Sequence, residues 1–211
     1  MTAREIERGA SAILSCYKES KTAGAFLVGV SGIDGSGKGY LTKEIVSRLL
    51  RSGVRAVAIN VDGWLNLPEV RFSRERPAER FYEKALRLDE MFAKLVLPLK
   101  SQRSIRLDAD YTEETAMSYR PHVYEYHAVE IIVLEGIYLF KREYQEYFDV
   151  RIWIDCSVET ALARAIARAQ EGLPPAETVS AYRKIYFPAQ EIHFVRDDPR
   201  RSADIVLNNG F

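Results

Sequence analysis

The sequence predicts an α/β fold, a mainly parallel sheet with helices on both faces, and three observations carry that expectation. Strand-length apolar runs alternate along the whole chain with segments of helical period, a pattern that calls for right-handed crossovers between parallel strands. The runs are continuous rather than alternating, as suits strands buried on both faces. Finally, a glycine-rich segment, GIDGSGKG, lies between the first apolar run and the next helical segment. That is the carboxyl end of a strand, where sheets of this kind bind ligands.

The elements follow in order. Ile6, Ala10, Ile13, Leu14 and Tyr17 recur at helical spacing, so an amphipathic helix opens the chain. Residues 25–31 (AFLVGVS) form the first buried strand, and after the glycine-rich segment Leu41, Ile45 and Leu49 mark a helix that ends near Gly53. Residues 54–61 read as a second buried strand, closed by Asp62 and Gly63. Residues 77–97 are mostly helical, and residues 104–107 form a short strand. The run VEIIVL, residues 129–134, is a strong buried strand ending at Glu135 and Gly136. Another strand covers residues 150–154. A helix follows through Val158, Leu162, Ala165, Ile166 and Ala169, stopping at Gly172 before Pro174 and Pro175. Residues 182–193 are helical, and residues 203–207 close the sheet. Without an internal repeat or low-complexity linker, residues 1–211 read as one domain.

Composition narrows the function. Hydrophobic residues make up 47% of the 211, enough for a sizeable core. The 30 basic and 30 acidic residues cancel, which argues against a nucleic-acid binder with its basic excess. Cys16, Cys156 and the three histidines, His122, His127 and His193, are scattered, so neither a disulfide framework nor a metal-ligand spacing is expected. The opening MTAREIERGA carries charges where a signal peptide needs an apolar run, and no stretch has the length of a membrane span. A cytoplasmic enzyme with no membrane partner is the expectation, and a homo-oligomer remains open.

Gly32, Gly37 and Lys38 fit the first seven positions of the pattern G-x-x-x-x-G-K-[ST]. Glycines let backbone N–H groups converge on phosphate oxygens, the following helix adds its positive end, and lysine reaches the β- and γ-phosphates. The fold is thus expected to be the three-layer P-loop NTPase type. Gly32, Asp34, Gly35, Ser36, Gly37, Lys38, Gly39 and Tyr40 are the candidate ATP-binding residues. Gly39 stands where a Ser or Thr hydroxyl normally ligates Mg²⁺, so that ligand is absent, and two outcomes stay open: water fills the coordination place, or catalysis is weakened or lost. Glu135 ends one apolar strand and is the candidate Mg²⁺ ligand. Asp62 ends another, where it can orient a substrate hydroxyl and accept its proton. Arg164 and Arg168 lie one turn apart on the late helix, expected opposite the face made by Leu162, Ala165, Ile166 and Ala169. There they can neutralise charge on a transferring phosphoryl group.

Four segments together, SGIDGSGKG, VDGW, VLEGIYLF and ALARAIARAQEG, resemble the uridine kinase and phosphoribulokinase family of P-loop kinases. The likeness spans roughly residues 25–208 in the correct order. It implies Asp62 as catalytic acid, Lys38 as phosphate-binding lysine, Glu135 as the magnesium-associated acid, and a mobile lid around residues 160–178 carrying Arg164 and Arg168. Uridine kinases carry a Tyr-Asp-Phe stretch followed by a histidine. Here the segment is ADYTEET, so Asp110 and Tyr111 are implied substrate-binding residues, while Ala109 replaces the first tyrosine and Glu114 the histidine. The expected activity is ATP-dependent phosphorylation of a hydroxyl on a small metabolite, a nucleoside first. A kinase of another sugar-like or vitamin-like alcohol, and a non-catalytic nucleotide-binding regulator, stay open beside it.

Overall fold

The computed structural model describes residues 2–169 and 172–210. In chain order the strands are β1 Phe26–Gly32, β2 Ala56–Asn60, β3 Ile105–Tyr111, β4 Arg120–Tyr126, β5 Ile131–Glu135, β6 Val150–Asp155 and β7 Ile205–Asn208. The α-helices are α1 Ala3–Glu19, α2 Lys38–Arg51, α3 Pro68–Arg71, α4 Pro77–Lys84, α5 Leu88–Met91, α6 Leu97–Gln102, α7 Val158–Arg168, α8 Pro175–Ala181 and α9 Phe187–Asp197. β1, β2, β5, β6 and β7 form one parallel sheet in the order β2-β5-β1-β6-β7.

Alternate side chains of the strands feed two apolar layers. Phe26, Val28, Val30, Ile131, Val133 and Ile152 pack against Ile6, Ala10 and Ile13 of α1 and Leu41, Ile45 and Leu49 of α2. On the other face Leu27, Ile59, Ile132, Leu134 and Trp153 belong to a larger core with Phe81, Met91, Leu95 and Ala189. Each fully buried aliphatic side chain in these layers contributes roughly 1.5–3 kcal/mol. The result is the three-layer architecture expected from the continuous apolar runs.

Register positions the site. Glu135 is paired with Val30 of β1 on one side and Asn60 of β2 on the other. The carboxyl ends of three strands therefore lie side by side, bringing together the loop after β1, the turn after β2 and the last residue of β5.

Three expectations need correction. The short strand at residues 104–107 is the start of a full antiparallel hairpin, in which Ile105 pairs with Tyr126 and Tyr111 with Arg120. The helix expected over residues 77–97 is interrupted after α4, where Leu86 bridges to Leu65, and it then runs beyond Pro98 to Gln102. A π-helical stretch, Phe92–Val96, precedes Pro98, and a second, Tyr182–Tyr186, precedes Pro188. The widened turns accommodate a ring that has no N–H to donate and that would otherwise clash one turn back. Finally, α7 buries Ala161 and Ala165, while Ala169 is exposed. The lid range 160–178 includes Gln170 and Glu171, which lie outside the described residues.

Candidate active site

The loop between β1 and α2 is bent by two glycines with positive φ, 75° at Gly35 and 91° at Gly37. A side chain is barred at both. A Cβ on Gly35 would lie 2.4 Å from the carbonyl oxygen of Ala161, and one on Gly37 2.4 Å from Nδ2 of Asn209. α2 begins at Lys38 with no side chain capping its first amides, so those N–H groups remain available to an anion. Lys38 is buried, with Nζ donating to the carbonyl of Ile33 at 3.0 Å. Ser36 Oγ is buried and has no hydrogen-bond partner among the described residues. A glycine cradle, a capless helix start and a buried ammonium group fit a polyphosphate.

The strand-end acids face the same space. Lys38, Asp62 and Glu135 line one cavity of about 400 Å³, together with Asp34, Gly35, Gly37, Gly39, Tyr40 and Arg168. Asp62 sits in a 3₁₀ turn, Val61–Trp64, and Asn60 caps that turn by accepting from the Asp62 amide at 2.6 Å. Burial raises the Asp62 carboxyl, with Lys38 pulling the other way and Asp34 adding to the rise. Burial also pushes Glu135 up to about 7, against the pull of Lys38 and with the help of Asp62. No side chain among the described residues donates a hydrogen bond to Glu135. Asp34 behaves differently. Burial opposes its charge, but Lys38, Arg168, the Tyr182 hydroxyl and the Gly35 amide together hold it below the usual range.

Gly39 and Glu135 are neighbours. A Cβ built on Gly39 would meet one atom within 4 Å, Oε1 of Glu135 at 3.5 Å. The space a Ser or Thr hydroxyl would occupy is open and abuts the carboxylate. Among the described residues no group of three or more His, Cys, Asp or Glu side chains is arranged to hold a metal ion. A divalent cation here would be held by Glu135 with phosphate oxygens and water, the usual composition of a Mg²⁺ site in phosphate chemistry.

The two arginines of α7 turn toward the loop. Arg164 Nη1 reaches the Ser36 carbonyl at 3.4 Å and Cys156 Sγ at 3.5 Å. Arg168 Nη2 lies 3.4 Å from Asp34 Oδ1 and lines the cavity, which Arg164 does not. They flank the buried Ala161–Ala165 stripe rather than opposing it, because a separation of three residues keeps side chains on the same face. Tyr182 adds a hydrogen bond to Asp34 Oδ2.

Asp110 and Tyr111 are not among the described residues lining the cavity. The Asp110 carbonyl accepts from Arg87, and the Tyr111 ring lies where a Cβ on Gly63 would be, 2.5 Å away. The hairpin thus braces the Asp62–Gly63 turn from behind. Three residues with no sequence signal, Asn209, Gln190 and Arg71, belong to the site region. Asn209, just past β7, donates to the Ser36 carbonyl at 2.6 Å and fills the space under Gly37. Gln190 of α9 and Glu114 line the cavity, and Arg71 of α3 pairs with Glu114. Only the folded chain brings them near the loop.

With the geometry established, similarity to known proteins can be set beside it. The Phosphoribulokinase / Uridine kinase family matches residues 27–172. A uridine kinase from Shewanella amazonensis is 24% identical over 190 residues, covering 87% of each chain. A solved structure described as a possible uridine kinase from Bacillus stearothermophilus superposes with a TM-score of 0.76 at 19% identity, covering 97% of both chains. D-glycerate 3-kinase from Cryptococcus neoformans shares the fold at a TM-score of 0.66 and 13% identity, covering 88% of this chain and 87% of its own.

Proposed function

We propose that this chain, which belongs to the Phosphoribulokinase / Uridine kinase family, phosphorylates a hydroxyl of a small metabolite with ATP, a nucleoside being the first candidate. The supporting observation is the convergence of Lys38, Asp62 and Glu135 on one cavity at the start of α2. Bound ATP supplies the phosphoryl group, and a divalent cation neutralises its charge. Gly32, Asp34, Gly35, Ser36, Gly37, Lys38, Gly39 and Tyr40 form the phosphate-binding segment. Lys38 follows the charge that develops during transfer. Asp62 orients the acceptor hydroxyl and takes its proton as the new O–P bond forms and the bond to the departing ADP breaks. Glu135 serves the cation.

Arg168 completes the positive side of the site from a lid formed by α7 and α8, and Arg164 fixes the loop through the Ser36 carbonyl. Asp110 and Tyr111 support the acceptor side through the Asp62 turn. The whole chain acts as one kinase domain in the cytoplasm, where ATP is supplied, with no nucleic-acid partner. No helix among the described residues is long and apolar enough to cross a membrane.

The test is acceptor-dependent ADP release by the wild type and Lys38→Ala. The variant should lose at least about tenfold in ATP affinity or turnover, equivalent to ~1.4 kcal/mol. Unchanged affinity and unchanged turnover would overturn the reading. Gly39 favours one second reading, a nucleotide-binding regulator, and tight ATP binding without turnover on any acceptor would support it.

A further inference from the structure

Among the described residues the cations lining the cavity, Lys38 and Arg168, are both engaged with the phosphate-loop segment. Lys38 is hydrogen-bonded to Ile33, and Arg168 is paired with Asp34. Beyond those and the strand-end acids, one charged side chain among the described residues lines the remaining wall, and it is Glu114. Glu114 is clamped from behind by Arg71, whose Nη2 donates to the Glu114 backbone carbonyl and lies 3.5 Å from its carboxylate. The Arg71 side chain is only 2% exposed and does not line the cavity. Its charge is directed at Glu114 and is out of reach of an incoming molecule. A carboxylate held by a guanidinium only accepts hydrogen bonds.

Gln190 lines the same cavity. It is 5% exposed, and its Oε1 is buried with no partner among the described residues. A buried amide oxygen left unpaired is costly, and a hydroxyl or amino group from a ligand removes that cost. Phe81 and Leu65 supply apolar wall to the same cavity. Glu114 only accepts, the Gln190 amide has an unpaired acceptor beside its own N–H donors, and neither offers a positive charge.

We infer that Glu114, held by Arg71, and Gln190 form an acceptor subsite for uncharged molecules that present hydroxyl or amino donors, and that the subsite excludes acceptors already carrying a phosphate or carboxylate. This rests on the phosphotransfer reading. A phosphate or carboxylate is an anion and an acceptor, so it meets Glu114 with like charge and leaves the Gln190 oxygen unpaired. Sites built on hydrogen bonds to a substrate reject analogues that cannot make them, and like charges brought together across an interface add to the rejection.

The test uses the full chain with ATP and Mg²⁺ and matched acceptor pairs, D-ribose with D-ribose 5-phosphate and glycerol with D-glycerate, with uridine and cytidine as larger neutral members. ADP release gives kcat/KM, and calorimetric titration into the chain saturated with a non-hydrolysable ATP analogue gives acceptor affinity. The neutral member of a pair should exceed its anionic partner by about 10²-fold or more. Gln190→Leu and Glu114→Gln should each raise the KM and Kd of the best acceptor by about tenfold while leaving the KM for ATP within about twofold. An anionic member that outperforms its neutral partner would overturn the acceptor class and leave the kinase standing. Acceptor KM and Kd unmoved in both variants would do the same. ATP binding without ADP release on any member would overturn both readings.

Discussion

Glu135 and Asp197 are each 6% exposed, yet the chain treats the two carboxyl groups in opposite ways. Asp197, on α9, accepts from the Tyr82 hydroxyl at 2.6 Å, pairs with His193 Nδ1 at 2.6 Å and accepts the Arg142 amide at 3.2 Å. Burial opposes its charge, but these partners outweigh it and hold the carboxyl below the ordinary range. Glu135, at the end of β5, accepts no hydrogen bond from a side chain of the described residues, and burial lifts it to about 7. Surface exposure is equal, but Glu135 is enclosed by more of the protein and has no hydrogen-bonding side chain among the described residues to offset its burial, whereas Asp197 has partners that do. The Asp197 carboxylate finds its hydrogen-bond partners within the chain, as a structural acid does. The strand-end crevice leaves them open, at a stability cost, for something that binds there.

Removing the carboxylate at each place should therefore damage different properties. Asp197→Ala leaves Tyr82, His193 and the Arg142 amide without their acceptor, and should cost about 3–5 kcal/mol of stability by chemical denaturation. Turnover of the fraction that remains folded should change little. If stability holds, Asp197 is not the structural acid of the comparison.

The pH response sharpens the contrast. Glu135 has a folded pKa raised from 4.5 to about 7, so the folded protein binds the extra proton between those values. Its favourable contribution is full below about 4.5 and is lost as pH rises through about 7, an effect of about 3 kcal/mol. His193 and Asp197 are both held low in the fold, so their contributions run the other way and weaken on acidification. His193 begins to weaken the fold below 6.5, and Asp197 below 3.8. Denaturation of ligand-free Glu135→Gln across pH 4.5–7 should show stability rising more steeply with pH than in the wild type. Parallel curves would remove the claim that Glu135 is held against its charge.

Asp62→Asn preserves shape but removes the proton acceptor. Turnover should fall by about 10²-fold, or ~2.7 kcal/mol, with ATP affinity little changed and no loss of stability. Near-normal turnover on the true acceptor would refute that role. The smallest effect concerns Gly39. Gly39→Ser puts a hydroxyl beside Glu135 and should lower the Mg²⁺ concentration needed for half-maximal turnover by about threefold, below 1 kcal/mol, while Glu135→Gln should raise it. Indifference to both changes would mean that the ion is held elsewhere.

What could be read in the sequence follows the same division. The loop, Asp62 and Glu135 were legible because each closes an apolar run, and parallel register then brings strand ends together without further information. The hairpin was not. β4 contains Pro121 and mixes exposed and half-buried positions, so the strand RPHVYEY lacks the buried run that marked the others. Gln190, Arg71 and Asn209 lie on α9, on α3 and after β7, and only tertiary packing carries them to the cavity or its loop. The arginines of α7 sit beside its buried stripe because the small Ala161 and Ala165 form that stripe, with Ala161 against Gly35, while the larger Leu162 and Ile166 are half-buried. Close backbone approach at Gly35 demands that choice, and an apolar-spacing argument cannot see it.

The most direct test of the central claim is a carboxyl ¹³C NMR titration of Glu135 and Asp197, without ligand and with ATP and Mg²⁺. Without ligand, Glu135 should titrate near 7 and Asp197 below 3.8. With ATP and Mg²⁺, Glu135 should shift to lower pH and Asp197 should not move. A Glu135 that titrates near 4.5 without ligand, or one that ATP and Mg²⁺ leave unshifted, would contradict the account.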